Sequence, residues 1–230
     1  MNVAIVLSGG TGTRLGGPIP KQYVEIGGKP IFGYSLDLFQ QADFIDGIVF
    51  VCHKDWEKFV LDYVEKYGVK KFFCFAPSGD SRQQSVKNGL FACRGRLKDT
   101  DVVLVHDAAR PNASEELLRR LTDLSGYDGV MPAVPVKDTT YYSEDGKEIS
   151  SLLDRDKLRA GQAPESYLFG KYLRLHETLS DERIARAKGS SEIAFANGLR
   201  IRIVDGEESN YKITTPMDLE KFRAEKEGKR

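Results

Sequence analysis

Near its amino terminus the chain carries Ser8-Gly9-Gly10-Thr11-Gly12-Thr13-Arg14-Leu15 and, shortly after, Pro20-Lys21-Gln22. Glycines free of bulky side chains let a backbone come close to a polyphosphate, and a helix opening just after them would aim its unpaired N–H groups at the anion. Arg14 and Lys21 would bring two cations to the same point, so these residue types point to a nucleotide held by its phosphates. Two better-known loops are excluded by spacing. A Walker loop ends in Gly-Lys-Ser/Thr after four spacers, whereas Gly12 is followed by Thr13 and Arg14. A dinucleotide loop wants a third glycine where Leu15 stands, and Gly16 comes one place late. An ordinary strand-to-helix turn also accounts for a glycine cluster of this kind.

Further residues with chemical potential follow other apolar runs. Ser78-Gly79-Asp80-Ser81-Arg82-Gln83-Gln84-Ser85 offers a glycine against which a base or ribose can lie, with Asp80 and Ser85 to bond hydroxyls or base edges. His106-Asp107-Ala108-Ala109-Arg110-Pro111 places an aspartate, two small residues and an arginine together, which suits a metal-bound triphosphate or a substrate hydroxyl held by Asp107. Lys137, Asp138 and Thr139 follow a later run, and Lys212 precedes the last helix. Cations beside a few carboxylates, with no serine-histidine or cysteine-histidine pairing, suit nucleotidyl transfer by positioning and charge stabilisation. His106 and Asp107 are neighbours on a strand and face opposite ways, so His106 is read as a packed strand-end residue. His53 and His176 have no partner pattern.

Positioning these residues requires strands that end at one edge. Apolar runs over 3–7, 47–52, 71–76, 102–105 and 129–134 alternate with amphipathic stretches over 31–41, 56–67, 80–93 and 114–124, the pattern of a mostly parallel, Rossmann-like α/β sheet with helices on both faces. In such sheets ligands bind beyond the carboxyl ends of the strands, where the segments above would gather. The run over 71–75 is aromatic enough to serve a half-exposed edge. Ser114 and Thr215 read as helix caps, 200–204 as a further strand and 188–191 as a loop. Residues 136–164 break the alternation with a hairpin signature, Thr139 to Tyr142 and Glu148 to Leu153 around Glu144-Asp145-Gly146-Lys147. The expectation is one domain over 1–230, with 136–164 as an inserted β-arm that projects and pairs with a second copy; a plain surface hairpin is the alternative.

Composition excludes several classes. Over 230 residues Lys plus Arg and Asp plus Glu are both 34, so no basic field recommends a nucleic acid or a membrane surface. Cys52, Cys74 and Cys93 lack metal-ligand spacing and read as free thiols of a reducing compartment. Met1 leads into the first strand without a signal peptide, and no run is long enough to span a membrane, so a cytoplasmic location is expected.

Taken in order, the segments resemble the cytidylyltransferases that make CDP-activated polyols: 2-C-methyl-D-erythritol 4-phosphate cytidylyltransferase and its sister, ribitol 5-phosphate cytidylyltransferase. The likeness runs from the glycine loop and Pro20-Lys21-Gln22-Tyr23 through Gly79-Asp80-x-Arg82, His106 to Pro111, Pro135-Val136-Lys137-Asp138-Thr139 and Asp154-Arg155 to Asn210-Tyr211-Lys212-Ile213-Thr214-Thr215-Pro216. It implies in-line attack of a polyol phosphate on the α-phosphorus of CTP, with magnesium present and pyrophosphate leaving. By the resemblance Arg14, Lys21 and Lys212 are catalytic, while Ser8, Gly9, Gly10, Gly12, Gly79, Asp80 and Ser85 hold the nucleotide. Asp107, Arg110, Thr139 and Arg155 face the polyol phosphate, the last two from the arm of a homodimer partner, and Asp107 also faces the metal.

The features divide between the two branches. The His106 to Pro111 and Pro135 to Thr139 segments look like the methylerythritol enzymes, whose substrate is the leading expectation. Gly9 to Arg14, Gly161-Gln162-x-Pro164 and Leu179-Ser180-Asp181-Glu182 look more like the ribitol enzymes. Ser190-Ser191-Glu192-Ile193 departs from both by losing a carboxylate at Ser191, and Tyr141 replaces a lysine. A hexose-phosphate nucleotidyltransferase and a catalytically inactive nucleotide-binding dimer are the competing readings.

Overall fold

The aliphatic run that precedes the glycine loop lies inside the main sheet as β1 (Asn2–Leu7) in a computed structural model that describes residues 1–10 and 19–228. The elements that follow are β2 (Glu25–Ile26), β3 (Lys29–Pro30), α1 (Ile31–Gln41), β4 (Gly47–Cys52), α2 (Glu57–Tyr67), β5 (Phe72–Pro77), α3 (Arg82–Ala92), β6 (Val102–Asp107), α4 (Glu115–Thr122) and β7 (Gly129–Pro135). The carboxyl-terminal part adds β8 (Thr140–Tyr142), β9 (Ser151–Leu153), β10 (Arg159–Gly161), β11 (Glu165–Leu168), α5 (Phe169–Thr178), α6 (Asp181–Arg186), α7 (Ser190–Ala196), β12 (Ile201–Asp205) and α8 (Pro216–Glu227). Among the described residues no helix is long and apolar enough to cross a membrane.

Successive residues of a strand face opposite ways, and β1 shows what that does to an unbroken aliphatic run. Ala4 and Val6 join Phe32, Leu36 and Phe39 of α1 in one core layer, while Val3 and Ile5 join Val86 and Leu90 of α3 in the other. Val3 to Val6 are all fully buried, and each fully buried valine or isoleucine contributes about 1.5–3 kcal/mol. Helices α1, α2 and α4 cover one face; α3, α5 and α7 cover the other.

Across the sheet the order is β12, β7, β11, β6, β1, β4, β5. β6, β1, β4 and β5 run parallel. The aromatic run does form the edge strand β5, with Phe72, Phe73 and Phe75 half-buried. β11 is antiparallel to both β6 and β7. Its antiparallel insertion leaves β7 pointing the same way as β6, so these carboxyl ends still share one edge.

The 136–164 segment is less uniform than expected. β8 and β9 pair as a separate two-stranded sheet, from Thr140 opposite Leu153 to Tyr142 opposite Ser151. Residues 159–161, expected in the arm, instead return as β10 along β7. They lie on the same side of β7 as β11, because β12 occupies the other side at Ala133 and Gly129. β10 and β11 thus form one course broken at 162–164, and the pairing satisfies backbone groups of β7 that would otherwise lack partners. The loop expected over 188–191 is also shorter, since Ser190 and Ser191 already belong to α7.

Candidate active site

In chain order β1, β4 and β5 proceed outward to one side, after which β6 returns to the other side of β1. That reversal leaves a crevice beyond the ends of β1 and β6, where Leu7 stands opposite Asp107. A cavity of about 820 Å³ opens there, within the roughly 300–1,000 Å³ of small-molecule sites. Ser8, Gly9, Gly10 and Lys21 line it from the first loop, Gly79, Asp80 and Ser81 from the loop after β5, Ser85 from the first turn of α3, and Asp107 and Lys212 from the end of β6 and the approach to α8. The structure therefore brings together the expected residues from four distant segments. Gly12 and Arg14 lie outside the described residues.

The glycine loop is built by close approach. A Cβ on Gly9 would stand 2.4 Å from Ser78 Cβ, so the loops after β1 and β5 touch only because Gly9 has none, whereas a Cβ on Gly10 would meet nothing within 4 Å among the described residues. Gln22 braces the loop from behind, its Nε2 donating to Ser8 O at 2.8 Å and Gly10 O at 2.7 Å. Tyr23 donates its hydroxyl to Ser8 O at 3.1 Å and stacks on Trp56 at 4.0 Å between centroids. Gln22 and Tyr23 were visible beside Lys21, but nothing in their spacing announces this bracing. Lys21 Nζ donates to the backbone oxygen of Ile213, joining the loop to the chain that enters α8. That entry is fixed by a capping box in which Thr215 and Asp218 bond each other's backbone.

After β5, Ser81 caps α3 by accepting from Gln84 N at 3.1 Å. Ser85 Oγ accepts from Gly79 N at 3.0 Å, so it shapes the loop as well as lining the cavity. Asp80 is exposed at the rim. His53, to which the sequence assigned no role, also stands at this rim, with Nδ1 3.2 Å from Asp55 Oδ2.

Asp107 is the electrostatic centre. Arg82 Nε donates to its Oδ1 at 2.9 Å and Lys212 Nζ to its Oδ2 at 2.7 Å. Burial opposes ionisation of this carboxyl, but the two cations outweigh burial and hold it well below the usual carboxylate range. Arg82 answers in kind: burial disfavours its charge, and Asp107 together with Glu165 more than restores it. His106 faces the other way, with Nε2 3.0 Å from Ser35 Oγ and its ring edge-on to Phe39. Burial pushes its imidazole down to about 3, so it is a neutral core residue, as read from the sequence.

A second cavity of about 220 Å³ adjoins the first, and Arg82, Asp107 and Lys212 line both. Its own walls include Arg110, Gln162, Ala163, Glu165, Lys188 and Ser191. Arg110 Nη1 donates to Asn210 O at 2.6 Å, which braces the turn leading to Lys212. Glu165 and Lys188 escaped the sequence reading, because a lone charge in an unassigned stretch carries no pattern. Within one chain Lys137, Thr139 and Arg155 line neither cavity. Lys137 pairs with Glu208 at 2.8 Å, Arg155 donates to Lys137 O at 3.0 Å, and Thr139 is exposed on the approach to the hairpin.

Among the described residues no three His, Cys, Asp or Glu side chains cluster to hold a metal. Asp107, the expected ligand, has both oxygens engaged by cations. A single carboxylate fits a magnesium ion that arrives already bound by phosphate oxygens and water, and does not fit a site built by the protein alone.

A cation-lined crevice at the switch point of such a sheet, opening through shared charges into a smaller polar cavity, suits a nucleotidyltransferase. Known proteins narrow the class. The chain belongs to the IspD family, 2-C-methyl-D-erythritol 4-phosphate cytidylyltransferase, which it matches over residues 2–225. It is 37% identical over 220 residues to the 2-C-methyl-D-erythritol 4-phosphate cytidylyltransferase of Geobacter metallireducens, covering 94% of this chain and 93% of that one. It is 31% identical over 226 residues to the ribitol-5-phosphate cytidylyltransferase of Streptococcus agalactiae serotype Ia, covering 97% and 95%. Among solved structures, 4-diphosphocytidyl-2C-methyl-D-erythritol synthase from Anaerococcus prevotii superposes with a TM-score of 0.83 at 28% identity, over 97% of this chain and 95% of that one.

Proposed function

We propose that the chain transfers CMP from CTP to a polyol phosphate, with 2-C-methyl-D-erythritol 4-phosphate as the leading acceptor. A phosphate oxygen of the acceptor attacks the α-phosphorus, the bond to the bridging oxygen breaks, and pyrophosphate leaves with the electron pair. The observation that carries this reading is the sharing of Arg82, Asp107 and Lys212 by the two cavities. A nucleotide in the larger cavity and an acceptor in the smaller one would meet at those charges. Ser8, Gly9, Gly10, Gly79, Asp80 and Ser85 would hold the nucleotide, with Gly12 completing the loop. Lys21, Arg14 and Lys212 would offset the charge that grows on the pentacoordinate phosphorus and the leaving group. Asp107 and Arg110 would face the acceptor. Magnesium would enter on the triphosphate and lower its negative charge, with Asp107 the carboxylate nearest to hand.

A second acceptor, ribitol 5-phosphate, is favoured by the 31% identity to an enzyme of that name over nearly the full chain. Pyrophosphate release with CTP, UTP or GTP and a panel of polyol phosphates decides: turnover is expected only with CTP, magnesium and one of these acceptors. A preference for UTP or GTP with a hexose phosphate would sink the reading.

The site is proposed to work as a homodimer in the cytoplasm, one domain with its arm. The hairpin leaves Tyr141 and Tyr142 about half exposed and Ile149 and Leu152 at 67% and 66%, an apolar ribbon that a second copy would cover. Thr139 and Arg155 lie at the base of this ribbon and would reach the partner's smaller cavity. Sedimentation velocity is expected to give a species of twice the chain mass, and a monomer at micromolar concentration would remove this part of the proposal.

A further inference from the structure

Behind the smaller cavity lies a chain of buried side chains, from Glu165 to Ser190, that the reaction above does not use and that joins its charges at Arg82. Because β11 runs against β6, its first residue, Glu165, stands opposite Val105 at the edge where Asp107 sits. Glu165 is 7% exposed and lines the smaller cavity. Tyr167, two residues on and facing the same way, donates its hydroxyl to Glu165 Oε2. Tyr167 in turn stacks on Tyr172 at 3.9 Å, and Tyr172 donates to Ser190 O at 3.3 Å. Ser190 Oγ accepts from Arg82 Nη1 at 2.7 Å, while the Arg82 Nε goes to Asp107.

Arg82 thus directs its hydrogen bonds to Ser190 and Asp107 rather than to Glu165. A carboxylate has about four acceptor positions, of which Tyr167 occupies one and the Ser191 backbone N–H approaches another. A carboxylate at a cavity wall can take further hydrogen bonds beside those two, so donors on whatever fills the cavity have an acceptor to meet. Burial raises the carboxyl's pKa and the charge of Arg82 opposes the rise, which a further set of hydroxyl donors would also do. The same small cavity carries Arg110, Lys188 and Lys212. Its chemistry therefore matches a molecule with an anionic end and a hydroxyl-bearing end.

We propose that Glu165 reads the hydroxyl groups of the acceptor, making it a specificity-determining residue of the smaller cavity. The cations take the acceptor phosphate, and Glu165, held in orientation by Tyr167, accepts hydrogen bonds from the alcohol carbons' hydroxyls. An acceptor phosphate lacking the hydroxyl that faces Glu165 is then disfavoured, since it leaves the carboxylate buried and short of a donor.

This inference rests on the proposed cytidylyl transfer, and kinetics at saturating CTP separate the two. The acceptor that the wild type turns over is compared with its single deoxy analogues, in wild type, Glu165→Gln and Tyr167→Phe. In Glu165→Gln the KM for the full acceptor is expected to rise roughly tenfold, the worth of a hydrogen bond to a charged group, with the KM for CTP unchanged. The wild-type preference for the full acceptor over one deoxy analogue is expected to shrink by the same factor. Tyr167→Phe, which frees the carboxyl to turn, is expected to show a smaller loss of the same preference and answers the question if Glu165→Gln fails to fold. Equal losses on the full and deoxy acceptors would mark Glu165 as structural only and overturn the inference alone. A wild type that binds CTP but turns over no polyol phosphate overturns the proposed function and this inference with it.

Discussion

Lys21→Ala is expected to lower kcat by about 10²–10³, the usual cost of removing one preorganised group that meets transition-state charge. Lys21 lines the larger cavity, and its ammonium is already fixed by the Ile213 backbone oxygen, so it needs no reorganisation when charge develops. A cation of that kind acts more on the transition state than on the bound triphosphate, so the thermal shift produced by CTP should largely persist. Lys21→Arg is not expected to restore the rate, because a planar fork cannot take the place of a compact ammonium held against the Ile213 backbone oxygen. Pyrophosphate release under saturating substrates checks this. A fall of less than about tenfold would remove Lys21 from the chemistry.

The second large effect is on stability. Asp107→Asn leaves Arg82 and Lys212 facing one another without the carboxylate that both bond. Breaking a buried pair by removing one partner costs about 3–5 kcal/mol; with these two side chains 26% and 35% exposed, water screens part of the repulsion and about 2–3 kcal/mol is expected. The effect carries its own pH signature. The folded protein holds the Asp107 carboxyl below its ordinary value of 3.8, so the stabilisation is complete above about pH 4 and is lost as pH falls below that. Urea unfolding of wild type and variant should therefore show a constant gap from pH 7 to 5 that narrows below pH 4. A gap that is the same at pH 3.5 as at pH 7 would mean that the ion pairs contribute nothing.

How far the sequence foretold this site depends on the range of the interactions. The run over 47–52 and the helix over 31–41 appear in the structure with the boundaries read from sequence, because their apolar patterns are local and end at polar residues. The gathering of Ser8, Gly79, Asp107 and Lys212 was legible for a topological reason: each follows a strand or precedes a helix, and parallel strands end together. The bonding of Asp107 was not. Its partners lie 25 and 105 residues away, and only tertiary packing chooses them from the chain's other cations. β11 was missed for a related reason, since Glu165 opens it and serves a cavity rather than the core, which breaks the apolar pattern of so short a strand. The short helices α6 and α7 are rich in charge and small polar residues, so local periodicity gave little warning of either.

The reversed direction of β11 also divides the chain into two vocabularies. Apart from the shared charges, the larger cavity is lined by residues up to 109 together with Thr214, whereas the smaller one, Arg110 aside, is lined by residues between 131 and 191. On the proposed reading, the nucleotide side and the acceptor side thus lie largely on separate stretches of sequence that share Arg82, Asp107 and Lys212. Descent can rewrite the later stretch and leave the earlier one intact, so enzymes bearing two different acceptor names can resemble one chain almost equally well. Grafting 131–191 between such relatives would exchange the recipient of the nucleotide while leaving the nucleotide itself unchanged.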